Sequence, residues 1–129
     1  MGFQFGSIIQ QISALAEQFR AEHLSETATF THRYTSRTIH VTPLSRSVAQ
    51  YTIDYFGSFD EQDVFVGFAR EFFQGKNFVP PQSGDTITVN GRKYIVTAQR
   101  GKPSWVYAED DPGKRTIWIN TRKDRNDSE

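Results

Sequence analysis

The sequence predicts a mainly β domain: a small antiparallel β-barrel or sandwich with an N-terminal amphipathic α-helix. Three observations predict this class. The apolar residues alternate in short runs that are rich in β-branched and aromatic side chains. Turn residues separate these runs at short intervals, and strands do not alternate with helices as they do in parallel sheets. Short strands at this spacing close into a barrel or pack face to face, because both arrangements protect strand edges.

Size and composition fit one folded domain that spans residues 1–129. The 11 Phe, 5 Tyr and 2 Trp supply large buried areas in a chain that is only 36% hydrophobic. The 15 basic and 15 acidic residues cancel, which argues against the strongly basic balance of a nucleic-acid-binding protein. There is no Cys, so disulfides and thiolate metal sites are excluded. We expect neither a secretory signal nor a membrane-spanning helix, because a basic N-terminal region and a long apolar run are both missing.

The helix is predicted over residues 7–23. Ser7 can cap its first turn, and apolar residues then recur at helical spacing. This stripe consists of Ile8, Ile9, Ile12, Leu15, Ala16 and Phe19. It needs a partner, either this domain's own sheet or another subunit. Ile8, Ile12, Leu15 and Phe19 are therefore candidate interface residues.

The β-body is predicted over residues 27–121. It begins with strands over 27–34 and 37–42, with Thr35 and Ser36 in the turn between them. A loop over 43–47 follows. The stretch 48–57 is ambiguous, but Tyr51, Ile53 and Tyr55 alternate, which favours a strand over a helix.

The body continues with a short apolar strand over residues 63–69 and a helical turn over 70–75. After the hairpin described next, strands are predicted over 104–107 and 116–121, joined by a polar loop over 109–114. Residues 122–129 alternate in charge and are expected to be a frayed tail.

The strongest local signal is a β-hairpin around Asn90 and Gly91. This dipeptide supplies the two positive φ angles of a type I′ turn. The turn places Val89 opposite Arg92, Thr88 opposite Lys93, and Ile87 opposite Tyr94. Ile87, Val89, Tyr94 and Val96 then form the core face, and Thr86, Thr88 and Lys93 the other face. Pro80 and Pro81 extend the approach, and residues 83–85 offer an entry turn.

A search for reaction chemistry is negative, so the sequence predicts no enzyme, cofactor or metal. No phosphate-binding glycine loop, nucleophile elbow or H-E-x-x-H pair is present. His32 and His40 can lie on adjoining strands, but a zinc site needs further ligands that are missing nearby. Residues 109–111 are acidic, yet they lack calcium-loop spacing and belong to a stretch with turn chemistry.

Three aromatic residues of the last strands suggest an alternative function. Trp105, Tyr107 and Trp118 are accompanied by four cationic residues, Arg100, Lys102, Arg115 and Arg122. Aromatic rings with flanking cations can stack single-stranded nucleic acid on an OB-like barrel face. Core packing and subunit contacts explain the same rings. Neutral net charge makes the nucleic-acid alternative the weaker of these interpretations.

The C-terminal half carries a family resemblance. Its hairpin contains Gly84, Asp85, Asn90, Gly91 and Tyr94 in the order GD-x-I/V-x-x-(N/D)G-x-x-Y-x-V, after a Pro-rich corner and before Trp105. The run DPGKRTIWI follows over 111–119. This arrangement resembles the small head-tail joining proteins of tailed bacteriophages, also called head completion, connector or stopper proteins. The N-terminal half matches only in the order of its elements.

The resemblance implies a structural protein of the virion neck, made in the host cytoplasm. Such a subunit forms a homo-oligomeric ring between the portal and the tail, joins head to tail and helps to retain packaged DNA. The implied partners are portal or adaptor proteins and tail proteins, with non-specific DNA contact and no membrane. Trp105, Tyr107 and Trp118 join the helix stripe as candidate interface residues, because a ring needs two different contact patches on each subunit.

Overall fold

The computed structural model describes residues 25–44, 52–57, 62–108 and 113–125, and the predicted helix over 7–23 lies outside these ranges. Nine strands are present in the described part of the chain. They are β1 Glu26–His32, β2 Thr35–Pro43, β3 Gln62–Phe68, β4 Phe73–Gln74, β5 Asn77–Phe78, β6 Thr86–Val89, β7 Arg92–Val96, β8 Trp105–Tyr107 and β9 Thr116–Lys123. The mainly β class is thereby confirmed.

Six of these strands close into an antiparallel barrel. The order around the barrel is β3, β2, β1, β6, β7 and β9, and β9 pairs again with β3. Every neighbouring pair is antiparallel. Of the two architectures that the sequence leaves open, the chain adopts the barrel, which leaves these six strands without a free outer edge.

Strands β7 and β8 share one edge of β9. Val96 pairs with Thr121. Trp105 then pairs with Ile119, farther toward the start of β9. The two strands therefore form one line that is interrupted by the loop over 97–104. The backbone of Asn120 binds both ends of this loop. Its N–H donates to the Ser104 carbonyl, and its carbonyl accepts from the Thr97 N–H.

The main core fills the barrel. It consists of Ala28, Phe30, Ile39, Val41, Phe65, Ala69, Phe72, Ile87, Val89, Val96, Ile117 and Ile119. A 3₁₀ turn, Ala69–Phe72, carries Phe72 into one end of the barrel, where its ring meets Phe30 edge to face at 5.2 Å. Gly67 provides room there, because a Cβ at this position would lie 3.3 Å from Ile119 and 3.7 Å from Phe72.

A second core lies on the outside of β3, β8 and β9. It consists of Leu44, Phe56, Val64, Val66, Phe68, Ala108 and Trp118. Phe56 is carried by a single helical turn, Ile53–Phe56, so the strand predicted there is wrong. Gly57 ends the turn at φ 79, and its N–H donates to the Ile53 carbonyl. The spacing of buried Thr52, half-buried Tyr55 and buried Phe56 is helical, and Ile53 points outward.

The two hairpins differ in how well the sequence predicts them. The register of β6 and β7 is the predicted one at all three predicted pairs, with Asn90 at φ 53 and Gly91 at φ 76. The turn between β1 and β2 lies at Arg33 and Tyr34 rather than at Thr35 and Ser36, because His32 pairs with Thr35. Strand β9 continues to Lys123, past its expected end at Thr121.

Candidate functional site

The candidate site is a cluster of four aromatic rings, Phe73, Phe78, Trp105 and Tyr107, here called the aromatic surface. Phe78 lies at its centre. Its ring centroid is 5.3 Å from Phe73, 5.2 Å from Trp105 and 5.8 Å from Tyr107, with the Tyr107 ring stacked nearly parallel to it. Trp105 and Tyr107 also meet edge to face at 5.0 Å. Contacts of these kinds hold the rings in fixed orientations.

A short hairpin supplies two of the four rings. Phe73 pairs with Phe78 and Gln74 with Asn77 across strands β4 and β5. Gly75 is the first of the two loop residues and has φ 62, as a type II′ turn requires. The hairpin is fixed at its base, where the Val79 N–H donates to the Phe72 carbonyl.

Strand β8 supplies the other two rings. Trp105 and Tyr107 alternate with Val106, so both face the same side as Ile117 and Ile119 of β9. The stretch that follows β5 is fastened to the start of β8 by Ser104, whose hydroxyl donates to the Pro81 carbonyl at 3.1 Å. The turn at Gly75 and Lys76 therefore joins the rings of β4 and β5, and the Ser104 hydrogen bond ties the stretch after β5 to β8.

One side of the aromatic surface packs on the apolar main core, and the other side is accessible to solvent. Phe78, Trp105 and Tyr107 are half-buried against the main core. Phe73 is 48% exposed. The Lys114 ammonium lies 5.3 Å from the Tyr107 ring centroid, a cation–π contact at the rim. Chemically, such a surface can accept a flat ring or an apolar side chain from a partner, since half-exposed aromatic rings release water when they are covered.

A polar cluster attaches the 3₁₀ turn to strand β2 beside the aromatic surface. The Glu71 carboxylate accepts from the His40 backbone N–H at 2.8 Å and contacts His40 Nδ1 at 2.6 Å. The Arg37 side chain donates to the Glu71 carbonyl, and its guanidinium lies over the rings of Phe30 and Phe72. Glu71 therefore satisfies a strand N–H that would otherwise face the gap between β2 and the turn.

The predicted hairpin residues lie near one another but have different structural roles. Gly84 has φ 99 and stands in the turn before β6. Asp85 is 6% exposed, and its carboxylate accepts from the Gln82 N–H at 2.8 Å and contacts His32 Nδ1 at 2.6 Å. Tyr94 packs edge to face on Phe65 at 4.9 Å. Burial, helped by the Asp63 carboxylate, raises the pKa of the Tyr94 phenol.

The predicted interface residues separate into three groups. Ile8, Ile12, Leu15 and Phe19 lie outside the described residues. Trp105 and Tyr107 belong to the aromatic surface. Trp118 is only 5% exposed and packs on Tyr55 in the second core, so its ring is not presented to a partner.

The two histidines on adjoining strands, His32 and His40, are each in contact with a carboxylate. His32 contacts Asp85, and His40 contacts Glu71. In the described ranges, no group of three or more metal-ligating side chains is found. None of the helical segments described is long and apolar enough to cross a bilayer.

Three residues of the site were not predicted from the sequence: Phe73, Phe78 and Glu71. The signal for the first two is the stretch Gln74-Gly75-Lys76-Asn77 between two Phe residues, which has turn chemistry. Each strand is only two residues long, so the alternation that identifies longer strands does not develop. The partner of Glu71 lies 31 residues away and leaves no local pattern.

No protein family matches the sequence, and no curated protein and no solved structure is significantly similar to it.

Proposed function

We propose that the protein is a structural subunit of a bacteriophage neck. In this role it forms a ring between the portal and the tail, joins head to tail and helps to retain the packaged DNA. The proposal rests on the resemblance of the C-terminal half to head-tail joining proteins. The structural observation that supports it is the aromatic surface, because fixed, half-exposed aromatic rings are typical of the centres of protein interfaces.

The arrangement of the subunit suits ring assembly. A ring requires a heterologous contact, in which one patch meets a different patch on the next copy. The aromatic surface is one such patch, and the apolar stripe predicted at Ile8, Ile12, Leu15 and Phe19 is a second. The portal or adaptor and the tail proteins are the other proposed partners. Nothing in this role calls for a cofactor or a reaction, so we propose that the protein is not an enzyme.

The aromatic surface gives this proposal a direct test. In a phage or prophage whose copy of the gene is disrupted, plasmids supply either wild-type protein or the Phe73→Ser variant. We expect wild-type protein to restore infectious particles and Phe73→Ser to reduce their number strongly while the purified variant melts like the wild type. Ile53→Ser is the matched control, because Ile53 is 41% exposed and lies outside the aromatic surface. Equal titres for Phe73→Ser and Ile53→Ser would contradict a role of this surface in assembly.

One observation favours a second candidate function, an OB-like nucleic-acid-binding module. The Lys114 ammonium lies over the Tyr107 ring, so the aromatic surface combines stacking rings with a cation. This function predicts salt-dependent binding of single-stranded oligonucleotides that is lost in Trp105→Ala. Binding that is unchanged in Trp105→Ala would reject it. Trp118 is not informative for this test because its ring is buried.

A further inference from the structure

The turn between β6 and β7 contains the single Asn-Gly sequence of the chain, at Asn90 and Gly91. Both residues are exposed, and both have positive φ, 53 at Asn90 and 76 at Gly91. No atom of the described chain beyond the adjoining residues lies within 4 Å of the position that a Gly91 Cβ would occupy. Within the described ranges, the Gly91 N–H donates to no backbone carbonyl. The Gly91 amide is therefore accessible to solvent base and carries no side chain that would shield it.

A hydrogen bond to strand β1 holds the Asn90 side chain. The Asn90 Nδ2 donates to the Glu26 carboxylate at 3.1 Å. Glu26 is exposed and is the first residue of β1, the strand that pairs with β6. The two residues are 64 positions apart in the sequence, so this contact exists only in the folded barrel. The terminal amide of Asn90 is therefore drawn across to the neighbouring strand.

An accessible Asn-Gly pair has a known chemical weakness, because the Gly nitrogen can attack the Asn side chain. Attack closes a five-membered ring in which the Asn90 Cγ is bonded to the Gly91 nitrogen, so the side chain must lie along its own backbone. The Glu26 contact holds the same side chain toward β1 instead. Ring closure in the folded protein therefore requires the Asn90 side chain to leave Glu26, and the loss of that hydrogen bond adds to the barrier.

We propose that Asn90 is a site of spontaneous deamidation and that its hydrogen bond to Glu26 slows the reaction in the folded protein. The Gly91 nitrogen loses its proton to solvent base and forms a bond to the Asn90 Cγ. The Cγ–Nδ2 bond breaks, and Nδ2 takes up a proton and leaves as ammonia. Water then opens the cyclic imide, at Cγ to give aspartate or at the main-chain carbonyl to give isoaspartate. The net reaction consumes water and releases ammonia, and it needs no enzyme, oxidant or reductant.

Both products disturb the hairpin. Aspartate replaces the donor that faces Glu26 with a second carboxylate, and like charges on neighbouring strands are destabilising. Isoaspartate adds a methylene group to the backbone of a two-residue loop, and the length of this loop sets the register of β6 and β7. Ile87, Val89 and Val96 of these strands belong to the main core. Modified molecules are therefore less stable than fresh ones, whether or not the protein has the proposed neck function.

Incubation of the folded full chain at mildly alkaline pH, followed by peptide mass mapping and isoaspartyl methyltransferase labelling, tests the proposal. We expect the Asn90 peptide to show the mass change of an amide converted to an acid, at a rate that rises with pH. Asn77 and Asn120 are internal controls in the same digest. Asn77 is also exposed, but it precedes Phe78, and Asn120 precedes Thr121. These bulky following residues hinder ring closure, so both controls are expected to keep their amides.

Variants of strand β1 test the role of Glu26. Glu26→Ala should deamidate about fivefold faster than wild type, the effect of one hydrogen bond. Glu26→Gln keeps a side-chain oxygen that can accept from Asn90, so its rate should stay close to that of wild type. Thr31→Ala is the matched control, because it removes an exposed hydrogen bond to Ser36 near the other end of β1. Its rate should equal that of wild type, and melting temperatures verify that every variant is folded.

Asn90→Asp encodes one product directly and should melt at a lower temperature than wild type, with a difference that shrinks at high salt because screening weakens the repulsion from Glu26. Two results overturn the proposal. If Asn90 in the native protein keeps its amide as long as Asn77 does, it is not a deamidation site. If Glu26→Ala reacts no faster than Thr31→Ala, the hydrogen bond to Glu26 does not control the reaction.

Discussion

Replacement of Asp85 tests whether the contact between the β1–β2 turn and the turn over 82–85 stabilises the fold. The buried carboxylate accepts one hydrogen bond from the Gln82 N–H and one from the His32 ring. A hydrogen bond to a charged group contributes about 1.5–3 kcal/mol, and loss of the acceptor leaves two part-buried donors without this partner. Removal of the carboxylate also removes its own desolvation cost, so for Asp85→Ala we expect a net loss of about 3 kcal/mol in the free energy of unfolding.

Asp85→Asn should cost about half as much, because its side-chain oxygen can still accept from Gln82 while its amide group no longer accepts from His32. For a domain of this size, about 3 kcal/mol corresponds to a decrease of about 9–15 °C in melting temperature. Thermal unfolding followed by circular dichroism measures both variants. A double-mutant cycle with His32→Ala isolates the pairwise term. An Asp85→Ala protein that melts within about 2 °C of wild type would refute the reasoning.

Three further predictions concern the barrel. Gly91→Val should reduce the free energy of unfolding by about 1–3 kcal/mol, because Gly91 has φ 76 and a β-branched residue is strained there; Gly91→Asn, which tolerates positive φ, is the control in urea denaturation. Phe72→Ala should cost about 3–5 kcal/mol, since Phe72 is fully buried and its cavity would open beside Phe30; a loss below about 1 kcal/mol would contradict the packing. The raised pKa of Tyr94 gives stability that is complete below about pH 10 and is lost as the pH rises through the folded-state value. Wild type should therefore lose stability above about pH 10 more steeply than Tyr94→Phe, and parallel pH profiles would refute this assignment.

The features that the sequence predicts well are those determined by residues that are close together in the sequence. Asn90 and Gly91 determine the turn, and the turn determines the register of β6 and β7. No distant residue is needed for this. The short apolar strand near Val64 and Phe65 was also predicted, because its composition leaves few alternatives.

The features that the sequence misplaces depend on contacts between distant residues. Arg33 and Tyr34 carry no turn signal, and their turn is fixed by a contact between His32 and Asp85, 53 residues apart. The alternation of Tyr51, Ile53 and Tyr55 suggests a strand. Burial of Phe56 in the second core and the positive φ of Gly57 favour a helical turn instead.

The candidate site was predicted only in part. Trp105 and Tyr107 were identified from their aromatic character, but the same argument also selected Trp118. Residues on both faces of β9 are buried, because the second core covers its outer face. A strand that is buried on both faces shows no alternation of apolar and polar residues, so the sequence does not indicate which rings are exposed. The β4–β5 hairpin, which completes the aromatic surface, is too short to produce an alternating pattern.

The most direct test of the proposed neck function is electron microscopy of particles from a phage or prophage in which this gene is disrupted. The account predicts DNA-filled or leaking heads that are separated from complete tails, with joined virions restored when the wild-type gene is supplied on a plasmid. Joined, infectious virions in the absence of the gene would contradict it.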